Sequence, residues 1–102
     1  MGEEHVLKFL SDLGLTKVES RVYVFLAKAG PQKALVIAKT LSINRTELYR
    51  VIKSLQGRGV IESTLESPAR FIAVPFEQIV DHLIRTKEDE TKRLKSNRNS
   101  LR

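Results

Sequence analysis

Residues 30–62, GPQKALVIAKTLSINRTELYRVIKSLQGRGVIE, constrain the fold of this chain more than any other stretch. They read as two short helices joined by a tight turn, then a glycine stop, then a strand. The first of these helices is expected over 33–41. Ala34, Ile37, Ala38 and Leu41 recur there at spacings of three and four and line one face, while Val36 points away from it. Ser42 and Ile43 make the turn. Asn44 is a favoured helix cap, and Glu47 stands three positions on, the spacing of a reciprocal capping box. In the next helix, over 45–56, Leu48, Val51, Ile52 and Leu55 gather on one side of a wheel of about 100° per residue. Thr46, Tyr49, Arg50 and Lys53 gather on the other. Gly57 and Gly59 end this helix.

The flanking segments supply the rest of a small core. Residues 3–13 are expected to be helical, with Val6, Phe9, Leu10 and Leu13 in one apolar stripe and Gly14 as the stop. Thr16 and Glu19 form a capping box that opens a second helix, running to about Ala29. Val18, Val22, Phe25, Leu26 and Ala29 point inward. Tyr23 and Val24 fall outside that stripe, so this helix is covered on more than one side and sits centrally. Gly30 and Pro31 stop it. Residues 60–62 and 71–74 read as two short strands. The polar stretch 63–70 between them is too long for a two-residue turn and reads as an exposed hairpin loop, or wing. Pro75 breaks the second strand, and Phe76 opens a last helix that can reach Arg102, roughly 40 Å at ~1.5 Å per residue.

The sequence therefore predicts a mainly α fold with a small β-hairpin wing, a winged helix-turn-helix with a long C-terminal helix. Residues 1–75 form the helix-turn-helix unit. Residues 76–102 form the C-terminal helix, expected to pair two copies through Phe76, Val80, Leu83, Leu94 and Leu101, packed with residues 3–13. Beyond Arg85 that helix has only Leu94 and Leu101 as apolar residues, a broken heptad seam. Its basic end, with Lys92, Arg93, Lys95, Arg98 and Arg102, reads as a solvated tail.

Charge points to the partner. The formal net charge is +6, which suits a polyanion. Residues 1–31 are neutral overall, residues 32–70 carry a net +4, and residues 71–102 a net +2. The excess lies on the helix-turn-helix and the segments C-terminal to it. An α-helix of ~10–12 Å diameter fits the major groove of B-form DNA, provided its back is held by the domain and its front is polar. Arg50 can donate a bidentate pair to guanine. Thr46 and Tyr49 suit bases or phosphates, and Arg45 and Lys53 suit phosphates. Lys33, at the expected start of the third helix, can meet the adjacent backbone. Arg70, beside the wing, can enter a minor groove or hold a phosphate. Double-stranded DNA is thus the expected partner, and the protein is expected to act as a homodimer.

Other classes are not supported. There are no cysteines, so disulfides and thiolate metal sites are excluded. No apolar run approaches the ~20 residues that span a bilayer. The segment MGEEHVLKFL lacks the basic and apolar regions of a signal peptide. A cytoplasmic, nucleoid-associated protein is expected. His5 and His82 are the only histidines, and neither has a neighbouring ligand set or nucleophile motif. No enzyme activity, metal, cofactor or small-molecule effector is expected.

The ordered set of motifs resembles the N-terminal domain of the TrmB-like archaeal transcriptional regulators. It begins at Phe9-Leu10-Ser11-Asp12-Leu13-Gly14-Leu15-Thr16 and continues through Glu19, Arg21, Val22 and Tyr23, then Gly30-Pro31 and Ile37-Ala38. Asn44-Arg45-Thr46-Glu47-Leu48-Tyr49, Ser54-Leu55, Gly59-Val60-Ile61-Glu62 and Arg70-Phe71-Ile72-Ala73-Val74-Pro75 complete it. The resemblance implies a DNA-binding regulator, usually dimeric, with the fourth helix in the major groove and the hairpin as a wing. It also implies that Arg45, Thr46, Tyr49, Arg50 and Lys53 form the reading surface. The chain departs from the family pattern at Asn44, where proline is frequent, and at Ser42, where the turn often has glycine. Many members continue into a sugar-binding effector domain. Two other functions fit the residues: a protein-interaction module, and an architectural protein that coats DNA without reading it.

Overall fold

The computed structural model describes residues 2–100; the side chains of Leu83 and of residues 95–100 lie outside the description. Five helices and three short strands succeed one another: α1 (Glu3–Asp12), α2 (Lys17–Ala29), β1 (Gln32–Lys33), α3 (Ala34–Leu41), α4 (Arg45–Gly57), β2 (Ile61–Ser63), β3 (Arg70–Ala73) and α5 (Phe76–Ser100).

The helix α2 is the centre of the molecule, and α1, α3, α4 and β3 all pack on it. Its start is fixed by the full capping box: Glu19 N donates to Thr16 Oγ1 at 3.1 Å, and Thr16 N donates to Glu19 Oε1 at 2.8 Å. Val22, Tyr23, Val24 and Leu26 are all buried. Tyr23 and Val24 lie off the main stripe, and their burial arises because helices cover α2 on two sides. Ala29, expected inward, is exposed; it is the last residue of α2, where the chain turns away at Gly30.

The helix α1 closes on Gly14, whose φ of +108° suits glycine alone. Leu10 is fully buried beneath that turn. Phe9, expected in the same buried stripe, is 40% exposed. It turns toward α5 and meets the Phe76 ring, tilted, with centroids 6.1 Å apart. Further along, Lys87 Nζ donates to the Asp12 carbonyl at 2.9 Å. The base of α5 is seated by Ile79, which is buried, and by Tyr23, whose hydroxyl donates to the Val74 carbonyl at 2.7 Å.

The sheet corrects the two-strand expectation. Its order is β1-β3-β2, antiparallel throughout, with β3 in the middle. Gln32 pairs with Phe71 and Lys33 with Arg70. Lys33 therefore lies in a strand and is at the same time the N-cap of α3, so it stands at the start of the third helix as expected. Two residues are too few to show an alternating pattern, and their pairing comes from a partner nearly forty positions away. The other strands sit one residue later or earlier than expected. Val60 is buried just before β2 and accepts from Val74 N at 3.0 Å.

The turn between α3 and α4 is made by Ser42, in the left-handed region at φ +54°, and by Ile43, which is buried. Asn44 Oδ1 then accepts from Glu47 N at 2.8 Å. Among the described residues the return bond from Glu47 is not formed, so the second capping box is half made; the Glu47 side chain is exposed to water instead.

Candidate nucleic-acid interface

The helix α4 is divided cleanly along its length. Leu48, Val51, Ile52 and Leu55 are buried. Each such side chain taken out of water contributes about 1.5–3 kcal/mol, so the back of the helix is held firmly. Arg45, Thr46, Tyr49, Arg50 and Lys53 are all exposed, Tyr49 by 52%. The residues expected to face outward do so.

The strand β1 changes what stands beside this helix. Lys33 and Arg70 are direct partners in the β1–β3 ladder, and both are exposed. Like charges placed opposite one another across a ladder repel, and an anion bound between them relieves the repulsion. The wing base is closed next to them: Thr64 N donates to the Arg70 carbonyl at 2.9 Å, and Arg70 N donates to Thr64 Oγ1 at 3.0 Å.

A groove of about 470 Å³ runs between the first turn of α4, the β1–α3 corner and the wing. Lys33, Arg45 and Tyr49 bring cations and a phenol to it. Leu35, Pro68 and Ala69 form part of its apolar lining. These three were missed by sequence reasoning. Leu35 alone carried a signal: it stands beside Val36 on a helix whose core face is already filled by Ala34, Ile37, Ala38 and Leu41. Both Leu35 and Val36 are exposed.

Among the described residues the ion pairs are Lys28 with Glu3 at 2.7 Å and Arg58 with Glu19 at 3.6 Å. Lys33, Arg45, Arg50, Lys53 and Arg70 are in neither. Glu19 is the one buried carboxylate of that set. Burial raises its pKa, but hydrogen bonds from Ser54 and Thr16 and the charge of Arg58 together outweigh burial and hold it below the ordinary value.

A second surface lies on the opposite elements. His5, Val6, Phe9, Phe76 and Val80 line an apolar trough of about 220 Å³ between α1 and α5. Leu94, further along α5, is 70% exposed. Of the residues expected to pair two copies, Phe76 and Val80 thus border one trough and Leu94 is open. The side chain of Leu83, and Leu101, lie outside the described residues. Among the described residues no cluster of His, Cys, Asp or Glu is placed to hold a metal, and no helix is long and apolar enough to cross a membrane.

Comparison with known proteins fits this geometry. The family model described as the sugar-specific transcriptional regulator TrmB matches residues 10–77. The HTH-type sugar sensing transcriptional regulator TrmBL1 of Pyrococcus furiosus is 34% identical over 95 residues, covering 93% of this chain and 28% of that protein. The uncharacterized protein YrhO of Bacillus subtilis is 27% identical over 78 residues, covering 76% of this chain and 28% of its own length. The chain thus spans under a third of either relative. Among solved structures, that of TrmBL2, described as an archaeal chromatin protein with a novel mode of DNA binding, superposes with a TM-score of 0.85 at 18% identity. It covers 99% of this chain and 39% of that one. A transcriptional regulator from Thermotoga maritima superposes at 0.66 with 16% identity, over 93% of this chain and 71% of its own. At these identities the structural likeness establishes the winged-helix fold.

Proposed function

Because the chain belongs to the TrmB family, we propose that it is a DNA-binding transcriptional regulator that reads duplex DNA with the outward face of α4. The observation that carries this reading is the division of α4 into four buried apolar anchors and an exposed face of Thr46, Tyr49, Arg50 and Lys53. The buried side fixes the helix in the domain, and the free side has the donors a major groove needs. Arg50 is assigned to guanine. Thr46 and Tyr49 take bases or phosphates, while Arg45 and Lys53 take phosphates that set the register. Lys33 and Arg70, paired across the ladder, hold the backbone where it passes the wing.

Residues 1–75 act as the reading unit, and α5 joins two copies. The apolar trough against α1 and the exposed Leu94 support that pairing. A two-fold dimer sets two copies of α4 about 34 Å apart, one turn of DNA, on a pseudo-palindromic site. The protein works in the cytoplasm on the nucleoid, without catalysis.

Fluorescence anisotropy with a duplex selected from a random pool tests the reading. The Arg50→Ala/Lys53→Ala pair is expected to lose the preference for that duplex over random competitor. The single Arg50→Ala change should cost about 1–3 kcal/mol of discrimination. Equal affinity of the wild type for selected and random duplexes marks a coating protein. Binding by the double variant as tight as by the wild type removes α4 from the interface.

A further inference from the structure

The reading helix has a second flank. Arg45 and Tyr49 border the outward face of α4 on the side of the wing groove. At about 100° per residue, Ser54 and Arg58 lie roughly 180° around the helix from them, on the side of α2. A cleft of about 300 Å³ opens there between the start of α2 and α4, lined by Thr16, Glu19, Arg50, Val51, Ser54 and Arg58.

Glu19 lies at the inner wall of this cleft, 3% exposed. Its oxygens are committed inward. Oε1 accepts from Thr16 N, and Oε2 accepts from the Ser54 hydroxyl and faces Arg58 Nε at 3.6 Å. A guanidinium has five N–H donors in a fixed fork. The contact to Glu19 is through Nε, which keeps the two terminal nitrogens of Arg58 out of that pair, and its side chain is 39% exposed. Its Nη1 passes over the turn at Gly14, 3.8 Å from where a Cβ would stand. Arg50, already on the outward face of α4, contributes to the same cleft. Two arginines thus line the cleft with one carboxylate, whose oxygens already accept from Thr16 N and the Ser54 hydroxyl.

A helix lying in the major groove has a sugar-phosphate strand on each side. The wing groove offers cations to one of them. We propose that the cleft beside α2 holds a backbone phosphate of the other strand, with Arg58 as its ligand and Glu19 as the positioning residue that aims Arg58, while Arg50, on the outward face of α4, keeps its contact with guanine. This rests on the reading of α4 as the groove-entering helix. Arg58 is then more than a residue beyond the helix end, and Glu19 more than half of a capping box. The carboxylate joins the fold of α2 to the placement of a DNA ligand on α4.

The salt dependence of binding to mixed-sequence duplex DNA, followed by anisotropy, decides the matter. Removing the cation from one phosphate lowers the slope of log K against log salt by about 0.9. Arg58→Gln is expected to lower it by that amount in a protein that still folds, with a lower melting temperature from the lost pair to buried Glu19. Glu19→Gln should produce the same reduction, and adding it to Arg58→Gln should lower the slope no further. A purely structural Glu19 gives a lower melting temperature with an unchanged slope. If Glu19→Gln does not fold, Arg58→Gln decides alone. A wild-type slope in Arg58→Gln overturns this proposal and leaves the α4 reading intact. A wild type that binds no duplex at low salt overturns both.

Discussion

Replacing Tyr23 by phenylalanine removes one hydroxyl and little else. That hydroxyl is buried in the central helix and donates to the Val74 carbonyl at 2.7 Å, where β3 hands over to α5. A net hydrogen bond contributes about 0.5–1.5 kcal/mol, and a buried group left unpaired costs about 1–3 kcal/mol. Tyr23→Phe should therefore destabilise the fold by about 1–3 kcal/mol at neutral pH. The alkaline range gives a second signature. Burial pushes the phenol up to about 12, against ~10 in an unfolded chain. The native state keeps this proton where the unfolded state releases it, so stability falls as pH rises. The contribution is fully present below pH ~10 and is lost as pH rises through about 12. With each tenfold difference in proton affinity equal to about 1.4 kcal/mol, roughly that much has gone by pH ~11. Urea unfolding at neutral pH and at pH ~11, wild type against Tyr23→Phe, measures both effects. The difference between the two proteins isolates Tyr23 from the lysines and Tyr49. A variant as stable as wild type, with the same alkaline decline, would refute the buried bond.

Three further changes test the local structure by thermal or urea unfolding. Asn44→Ala removes the acceptor for Glu47 N at the start of α4 and should cost about 1 kcal/mol; no loss means the cap is made some other way. Ser42→Gly relieves a left-handed serine. A strain of about 1–2 kcal/mol, partly offset by the freer unfolded glycine chain, leaves a gain of about 0.5 kcal/mol, and a loss would contradict the turn geometry. Ser20 Oγ is buried without a hydrogen-bond partner among the described residues. Ser20→Ala should thus be neutral or stabilising by up to about 1 kcal/mol, whereas a clear loss would reveal a partner for the hydroxyl.

Local spacing is the part of this structure that the sequence makes legible. Thr16 and Glu19 are three residues apart, and one helical turn brings them together whatever else the chain does. The four anchors of α4 are equally local, because a 3.6-residue period sorts them onto one face. Long-range pairing is not legible in the same way. Gln32 and Lys33 form a strand because β3 is there to receive them, and nothing in two polar residues announces it. That pairing sets Lys33, which also caps the start of α3, opposite Arg70. Phe9 stays outside the buried core for a related reason: its stripe does not tell which element each member meets, and its ring packs on Phe76 across the chain. The hydroxyl of Ser54 and the guanidinium of Arg58 are silent in the sequence because their partner, Glu19, already has a local explanation. The groove beside the wing draws on α4, the β1–α3 corner and the loop after β2, so only the folded chain assembles it.

The claim that α4 is the DNA-reading element is tested most directly by amide chemical shifts. A uniformly 15N-labelled protein is titrated with duplex DNA at low salt. The account predicts shifts at residues 45–53, at Lys33 and along the wing from Thr64 to Arg70, with the α1–α5 trough unchanged. Shifts confined to α1 and α5, with α4 silent, would contradict it.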